Sequence, residues 1–269
     1  MTSQFPKITI ITVCLNPGKL IEQSVQSVLR QTFKDLQYII IDGGSKDGTI
    51  DLLQKYQDQN ALEFISEEDG GIYFAMNKGI SNAKGEWIYF LGSDDVFFDD
   101  EVLERIFQKP SGQEEILYGN VQYLHSGIIY DGPFNHEKIS RQNICHQALF
   151  VKRNVFDKIG NFDTRYKICA DMEFNIRWMG KKIRSTYINE LIVIYNELGL
   201  SGQVVDEVFL SEFDDILINN NIISLRSFNE LKRRHERVEQ SYSYKVGHFL
   251  IAPFRWLKSK FLHFNNGRS

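Results

Sequence analysis

The chain has 269 residues, 42% hydrophobic and 25% charged, which fits one large globular domain or one domain with a small appendage. Its net charge of -4 gives no electrostatic basis for a nucleic-acid partner. The three cysteines, Cys14, Cys145 and Cys169, are odd in number and share no short spacing, which argues against a disulfide framework or zinc site and for a reducing compartment.

Met1 to Lys7 is too polar for a signal peptide, and the apolar run Phe249 to Phe254 falls far short of the roughly 20 residues that cross a bilayer. The expected location is cytoplasmic, with any membrane contact made from the surface.

The first hundred residues alternate strand and helix signals. Ile8 to Val13 is a β-branched run and reads as a buried strand. Pro17 can open a helix, and Ile21, Val25, Val28 and Leu29 follow the spacing of one buried helical face. Tyr38 to Ile41 predicts a second strand, Leu62 to Ser66 a third and Glu86 to Leu91 a fourth. Helices fit between them at Ile50 to Gln59 and Ile72 to Ala83. Such alternation implies βαβ crossovers and a mostly parallel sheet, in which ligands bind beyond the carboxyl ends of the strands. Asn16, Asp42, Asp94 and Asp95 all fall just past predicted strand ends.

After Ser111 the pattern weakens. Ile116 to Leu124 and Ile128 to Tyr130 suggest a hairpin about Ser126-Gly127, with short helices near Asn154 to Ile159 and Asp171 to Met179. No repeat or low-complexity linker appears, so the second half is expected to extend the same sheet.

Three segments carry candidate chemistry. In Asp42 to Thr49 the glycines allow backbone angles closed to other residues, and free N–H groups can meet an anion or a base edge. A plain strand-to-helix turn capped by Asp47 or Thr49 explains the same residues. Glu67-Glu68-Asp69-Gly70-Gly71 precedes a helix whose macrodipole favours acids there, yet that helix also carries Asn77 and Lys78. Gly92-Ser93-Asp94-Asp95 places adjacent carboxylates at the end of an apolar strand, where they face either solvent or a hard cation such as Mg²⁺ or Mn²⁺. Farther on, His146, Gln147, Asp163 and Asp171 stand beside apolar runs.

These segments in this order resemble the inverting family 2 glycosyltransferases of GT-A fold. The carrying stretches are Ile11 to Asn16, Ile41 to Thr49, Asp69 to Gly79 and Gly85 to Asp95, with a weaker match to about residue 190 and a closest look to the bacterial surface-polysaccharide, colanic-acid-type branch. The resemblance implies a Rossmann-like, mostly parallel α/β sheet flanked by helices, and transfer of a sugar from a nucleotide-sugar donor (UDP-sugar foremost) to a hydroxyl of a glycan or lipid-linked acceptor. Thr12, Val13 and Asn16 would line the nucleotide pocket. Asp42 would accept from the base, Asp69 would close its other side, and Asn77, Lys78 and Ser93 would complete the donor site. Asp94 matches the second acid of the family's Asp-x-Asp metal motif for Mn²⁺ or Mg²⁺, and Asp95 would serve as a ligand or orient one. The first acid of that motif is Gly92 here. Asp171 matches the catalytic base, with Glu173 the runner-up, and His146 and Gln147 resemble a pair on the acceptor side.

The domain organisation expected is a nucleotide-sugar half over 1–110, an acceptor half over 111–235 and a basic amphipathic helical tail over 236–269. In that tail Phe254, Leu257, Phe261 and Phe264 can share a helical face beside Lys258 and Lys260, as suits an anionic membrane surface. A sugar nucleotidyltransferase is the rival enzyme, but the loop Leu15 to Lys19 is short and weakly basic for a triphosphate. A degenerate transferase kept as a sugar- or partner-binding module is the non-enzyme rival, and donor hydrolysis or transfer separates it from the glycosyltransferase reading.

Overall fold

The computed structural model describes residues 5–108, 112–130, 132–198, 205–224 and 226. The chain divides into two compact units, Met1–Ile222 and Ile223–Ser269. In the second, only residues 223, 224 and 226 are described, so the expected amphipathic tail lies outside the described residues.

In the first unit, β1 (Ile8–Cys14), β2 (Leu36–Asp42), β3 (Glu63–Ser66) and β4 (Trp87–Gly92) form a parallel array in the order β3-β2-β1-β4. Helices α1 (Ile21–Leu29), α2 (Thr49–Asp58) and α3 (Ile72–Asn82) make the crossovers. These elements match the sequence expectation to within a few residues. At the first helix a 3-10 turn, Gly18–Leu20, intervenes between Pro17 and α1.

The sheet continues into the second half as one nine-stranded structure. It adds β5 (Val96–Phe97), β6 (Ile116–Tyr123), β7 (Ile129–Tyr130), β8 (Leu149–Lys152) and β9 (Ser185–Tyr195). β8 runs antiparallel between β4 and β6, while β9 lies parallel to β6 and antiparallel to β5. The longest strand, β9, has no clean alternation of buried and exposed residues, which is why periodicity did not predict it. The remaining helices are α4 (Val102–Gln108), α5 (His136–Ile139), α6 (Arg153–Ile159), α7 (Ala170–Gly180) and α8 (Glu207–Asn219).

Both faces of the parallel strands are buried. Ile8, Ile10, Ile40, Tyr89 and Leu91 join Val25, Val28 and Leu53 in a core beneath α1 and α2. On the other side α3 presses directly on β1. A Cβ on Gly79 would come within 2.5 Å of Ile11 Cγ2, so only glycine permits that approach. Beyond α3 an aromatic cluster, with Phe162 against Tyr73 (5.5 Å), Phe90 (5.6 Å) and Phe174 (5.1 Å), ties the helix to α7. That packing brings Asp171, on α7, to a tyrosine of α3.

Candidate active site

Because β1, β2 and β4 are parallel and in register, their carboxyl ends share one edge, with Cys14 opposite Asp42 and Val13 opposite Gly92. Asn16, the 42–49 loop and the 92–95 turn therefore converge there. Asn16 takes a left-handed backbone with φ of 51°. Its N–H donates to Ser45 Oγ (2.7 Å), and its Oδ1 accepts from the Lys46 N–H (2.8 Å). Val13 is half-buried at the same edge.

Asp42 is fully buried and surrounded by donors from its own framework. Its Oδ2 accepts from the N–H groups of Gly44 (3.0 Å) and Ser45 (2.9 Å) and from Ser66 Oγ (2.6 Å). Its Oδ1 accepts from Ser45 Oγ and Cys14 Sγ. Burial works against its charge, but the Ser45 and Ser66 hydrogen bonds outweigh it and hold the carboxyl below its ordinary range. The carboxylate that the sequence reading set against a nucleotide base thus has five hydrogen bonds from its own framework. The carboxylate is enclosed and organises the loop. Thr12 is fully buried and its hydroxyl lies 3.2 Å from that of Tyr38, so its side chain belongs to the core.

Asp69 is the less enclosed acid at this edge. Its Oδ1 accepts from the Gly71 N–H (2.8 Å), while Oδ2 lies 3.1 Å from where a Cβ on Gly43 would stand. The exposed Leu15 lines the same gap, 3.5 Å from that point. Lys78 pairs with Glu67. Asn77 Nδ2 donates to Phe162 O (2.9 Å) and its Oδ1 accepts from Phe162 N–H (3.1 Å), so both ends of the amide hold the aromatic cluster.

At the end of β4 the acidic turn splits into an outer and an inner carboxylate. Asp94 is exposed, and its Oδ2 accepts from Asn196 Nδ2 (2.9 Å). Asp95 is 2% exposed, accepting from the Asn196 N–H (2.6 Å) and from Gln147 Nε2. Burial foremost, with the Asp94 charge nearby, pushes the Asp95 carboxyl up to about 6, against the hydrogen bonds from Asn196 and Gln147. Gln147 Oε1 in turn accepts from the Gly92 N–H (3.0 Å), and Ser24 Oγ donates to Gly92 O (2.9 Å). Ser93 is half-buried between them. Each oxygen of Asp95, expected from the sequence to serve as a metal ligand or to orient one, takes a protein donor inside the fold.

Asp171 stands in the first turn of α7, 8% exposed. Tyr73 OH donates to its Oδ1 (2.9 Å) and Asn143 Nδ2 to its Oδ2 (2.7 Å), with His146 Nδ1 3.6 Å from Oδ2. Burial first, then the Asp171 charge, hold the Tyr73 hydroxyl far above its ordinary range, so it remains a donor. Asp206, at the start of α8, accepts from the N–H groups of Ile168 (3.0 Å) and Cys169 (3.3 Å) and fixes the approach to α7. Glu173 points elsewhere, chelated by Arg177 at 2.9 and 2.5 Å. Tyr73, Asn143 and Asn196 contact these acids and were not singled out from the sequence. Tyr73 lies within the Asp69 to Gly79 stretch, whereas Asn143 and Asn196 are single polar side chains with no spacing to mark them.

Among the described residues no group of three His, Cys, Asp or Glu side chains is arranged to cage a metal ion. Asp94 is the exposed carboxylate of the turn, and a hard cation is often held by one or two carboxylates completed by substrate phosphates.

The family model described as Glycosyl transferase family 2 matches residues 9–162. A PGL/p-HBAD biosynthesis glycosyltransferase of Mycobacterium tuberculosis is 34% identical over 212 residues, covering 76% of this chain and 83% of that protein. The fold is that of S. aureus TarS 1-349 in complex with UDP (TM-score 0.65, 16% identity, 91% of this chain and 75% of that one); the chain spans 44% of the longer TarS chain. It is also that of the mannosyltransferase PcManGT from Pyrobaculum calidifontis in complex with GDP-Man and Mn²⁺ (TM-score 0.59, 14% identity, 93% and 85% covered). The GT-A architecture expected from the sequence is thus the one observed, and the chain belongs to glycosyl transferase family 2 and is a glycosyltransferase.

Proposed function

We propose that the enzyme moves a sugar from a nucleotide diphosphate sugar, with UDP-sugar the leading candidate, to a hydroxyl of a glycan or lipid-linked acceptor in bacterial surface-polysaccharide synthesis. Transfer occurs in one displacement, with inversion at the anomeric carbon. The observation that carries this reading is the short 3-10 turn His146–Ala148, which joins two acids with different surroundings. Gln147 holds Asp95 and Gly92 in the turn at the end of β4, while His146 faces Asp171. The candidate donor end and the candidate base are therefore built into one frame.

Asp69, with its less encumbered oxygen beside Gly43 and Leu15, reads the nucleotide base, and Val13, Asn16, Lys78 and Ser93 line the rest of the donor pocket. Asp42, Thr12 and Asn77 shape that pocket from behind. Asp94 would hold a divalent cation, Mn²⁺ or Mg²⁺, and such an ion supplies neutralisation of charge on the departing diphosphate. Asp171 takes the proton of the acceptor hydroxyl, a role worth typically about 10²–10⁴-fold in rate. Tyr73 and Asn143 hold its carboxylate in place. Complexes of the same fold with UDP and with GDP-Man and Mn²⁺ support a nucleotide-sugar donor. No described helix is long and apolar enough to cross a membrane. Contact with an anionic membrane through 241–269 is the proposed route to a lipid-linked acceptor, and liposome sedimentation with and without those residues tests it.

The decisive experiment is calorimetric titration with UDP, GDP and dTDP, each with and without Mn²⁺, on the wild type and on Asp94→Ala. Metal-dependent binding of one nucleotide, lost in the variant, supports the reading. Absence of binding to all three returns the chain to a sugar- or partner-binding module.

A further inference from the structure

Asn196 lies immediately after β9, a hundred residues from the acidic turn in sequence, yet it contacts both of that turn's carboxylates. Its backbone N–H donates to Asp95 Oδ1 at 2.6 Å, and its side-chain Nδ2 donates to Asp94 Oδ2 at 2.9 Å. Its Oδ1 accepts from the Leu198 N–H (3.2 Å), which orients the amide so that Nδ2 faces Asp94. The neighbouring strand pairing, Val96 with Ile194, anchors Asn196 to the same backbone that carries the two acids.

We infer that Asn196 is a positioning residue that fixes the Asp94 carboxylate in the orientation used to bind a divalent cation together with the nucleotide diphosphate. The inference rests on the proposed metal role of Asp94. Asp94 is exposed, and among the described residues its carboxylate is held by this one hydrogen bond, whereas Asp95 is held from two sides. An aspartate at a turn samples several rotamers, and a cation shared with a mobile diphosphate binds more tightly when its protein ligand is already oriented. An amide suits this position because it is neutral: it restrains one carboxylate oxygen by donation without competing for the cation as a lysine would. The two contacts also divide the labour. The backbone bond to Asp95 does not depend on the side chain at 196, so side-chain changes act on Asp94 and on the Leu198 N–H while leaving the Asp95 contact in place.

The test measures UDP affinity by calorimetry over a Mn²⁺ series for the wild type, Asn196→Ala, Asn196→Gln and Asn189→Ala, the last a control asparagine on β9 remote from the acids. Asn196→Ala should need about tenfold more Mn²⁺ for the same gain in UDP affinity, the loss expected for one hydrogen bond to a charged group. Its metal-free UDP affinity and melting temperature should stay at the wild-type values. Asn196→Gln, which keeps the donor on a longer stem, should recover part of the metal effect, and Asn189→Ala should match the wild type. A normal Mn²⁺ requirement in Asn196→Ala overturns the inference while leaving the metal reading intact. Wild-type UDP binding that ignores Mn²⁺ overturns the metal reading and the inference with it.

Discussion

The carboxylate of Asp95 occupies the space that a side chain on residue 92 would need. A Cβ built on Gly92 would fall well inside contact distance of Asp95 Oδ2 and 3.0 Å from Gln147 Nε2. The missing first acid of the metal motif is therefore not simply an omission, because the inner acid and its glutamine already fill that volume.

Restoring an acid by Gly92→Asp should weaken the site. Overpacking a closed position typically costs about 1–3 kcal/mol, and here it also displaces Asp95 from Gln147. Thermal melting should fall and the Mn²⁺-dependent gain in UDP affinity should shrink. Tighter Mn²⁺ binding by this variant would show that the turn can hold both carboxylates.

Asp171→Asn should lower turnover by about 10²–10⁴-fold with nucleotide affinity nearly unchanged, since the amide keeps the shape but cannot take the proton. Glu173→Gln should instead retain most turnover and lose roughly 1–3 kcal/mol of stability, because the half-buried Arg177 guanidinium loses its charged partner. Steady-state kinetics and denaturant melts on both variants separate the roles. The reverse pattern would make Glu173 the base.

Asp42 contributes pH-dependent stability of a definite sign. Its carboxyl is held below the ordinary value of 3.8, so the folded state favours the charged form. That contribution is fully present above the ordinary value and is lost as pH falls through the lower folded value. Asp42→Asn should be less stable than wild type at neutral pH, and the difference should narrow under acid. Urea melts across the acid range would show it. A constant difference would mean that shape, not charge, holds the loop.

Gly79→Ala should destabilise the enzyme although alanine is the better helix former. The helical preference favours alanine by roughly 1 kcal/mol. The added methyl would drive into Ile11 on β1, and such a clash typically costs about 1–3 kcal/mol. Gly79→Ala combined with Ile11→Val should recover part of the loss in a melting experiment.

The local pattern of the first hundred residues was enough to read the alternating elements. β-branched runs such as Ile8 to Val13 and Tyr38 to Ile41, and the helical spacing of Ile21, Val25 and Val28, are short-range signals that owe nothing to distant contacts. They also imply that Asn16, Asp42 and Asp94 gather at one edge, because parallel strands bring their carboxyl ends together. The strands β8 and β9 carry no such signal. β8 is only Leu149 to Lys152, and β9 mixes exposed and buried positions without a period, since its neighbours change along its length.

What only the tertiary structure decided is which of the polar residues face inward. Asp42 and Asp69 are both acids beside glycines, and Asp94 and Asp95 are adjacent in the chain, yet one of each pair is enclosed by donors and the other is not. For Asp95 that difference is made by Gln147 and the Asn196 N–H, 52 and 101 positions away, and for Asp42 by Ser66, 24 positions away, together with the adjacent Gly44 and Ser45. Sequence alone determined the α/β class and the acids at the strand ends, because both follow from local patterns, while the GT-A family and the expectation for Asp171 came from the resemblance. The assignment of each acid to frame or pocket required the folded chain, because burial and hydrogen bonding depend on partners that only the fold brings within reach.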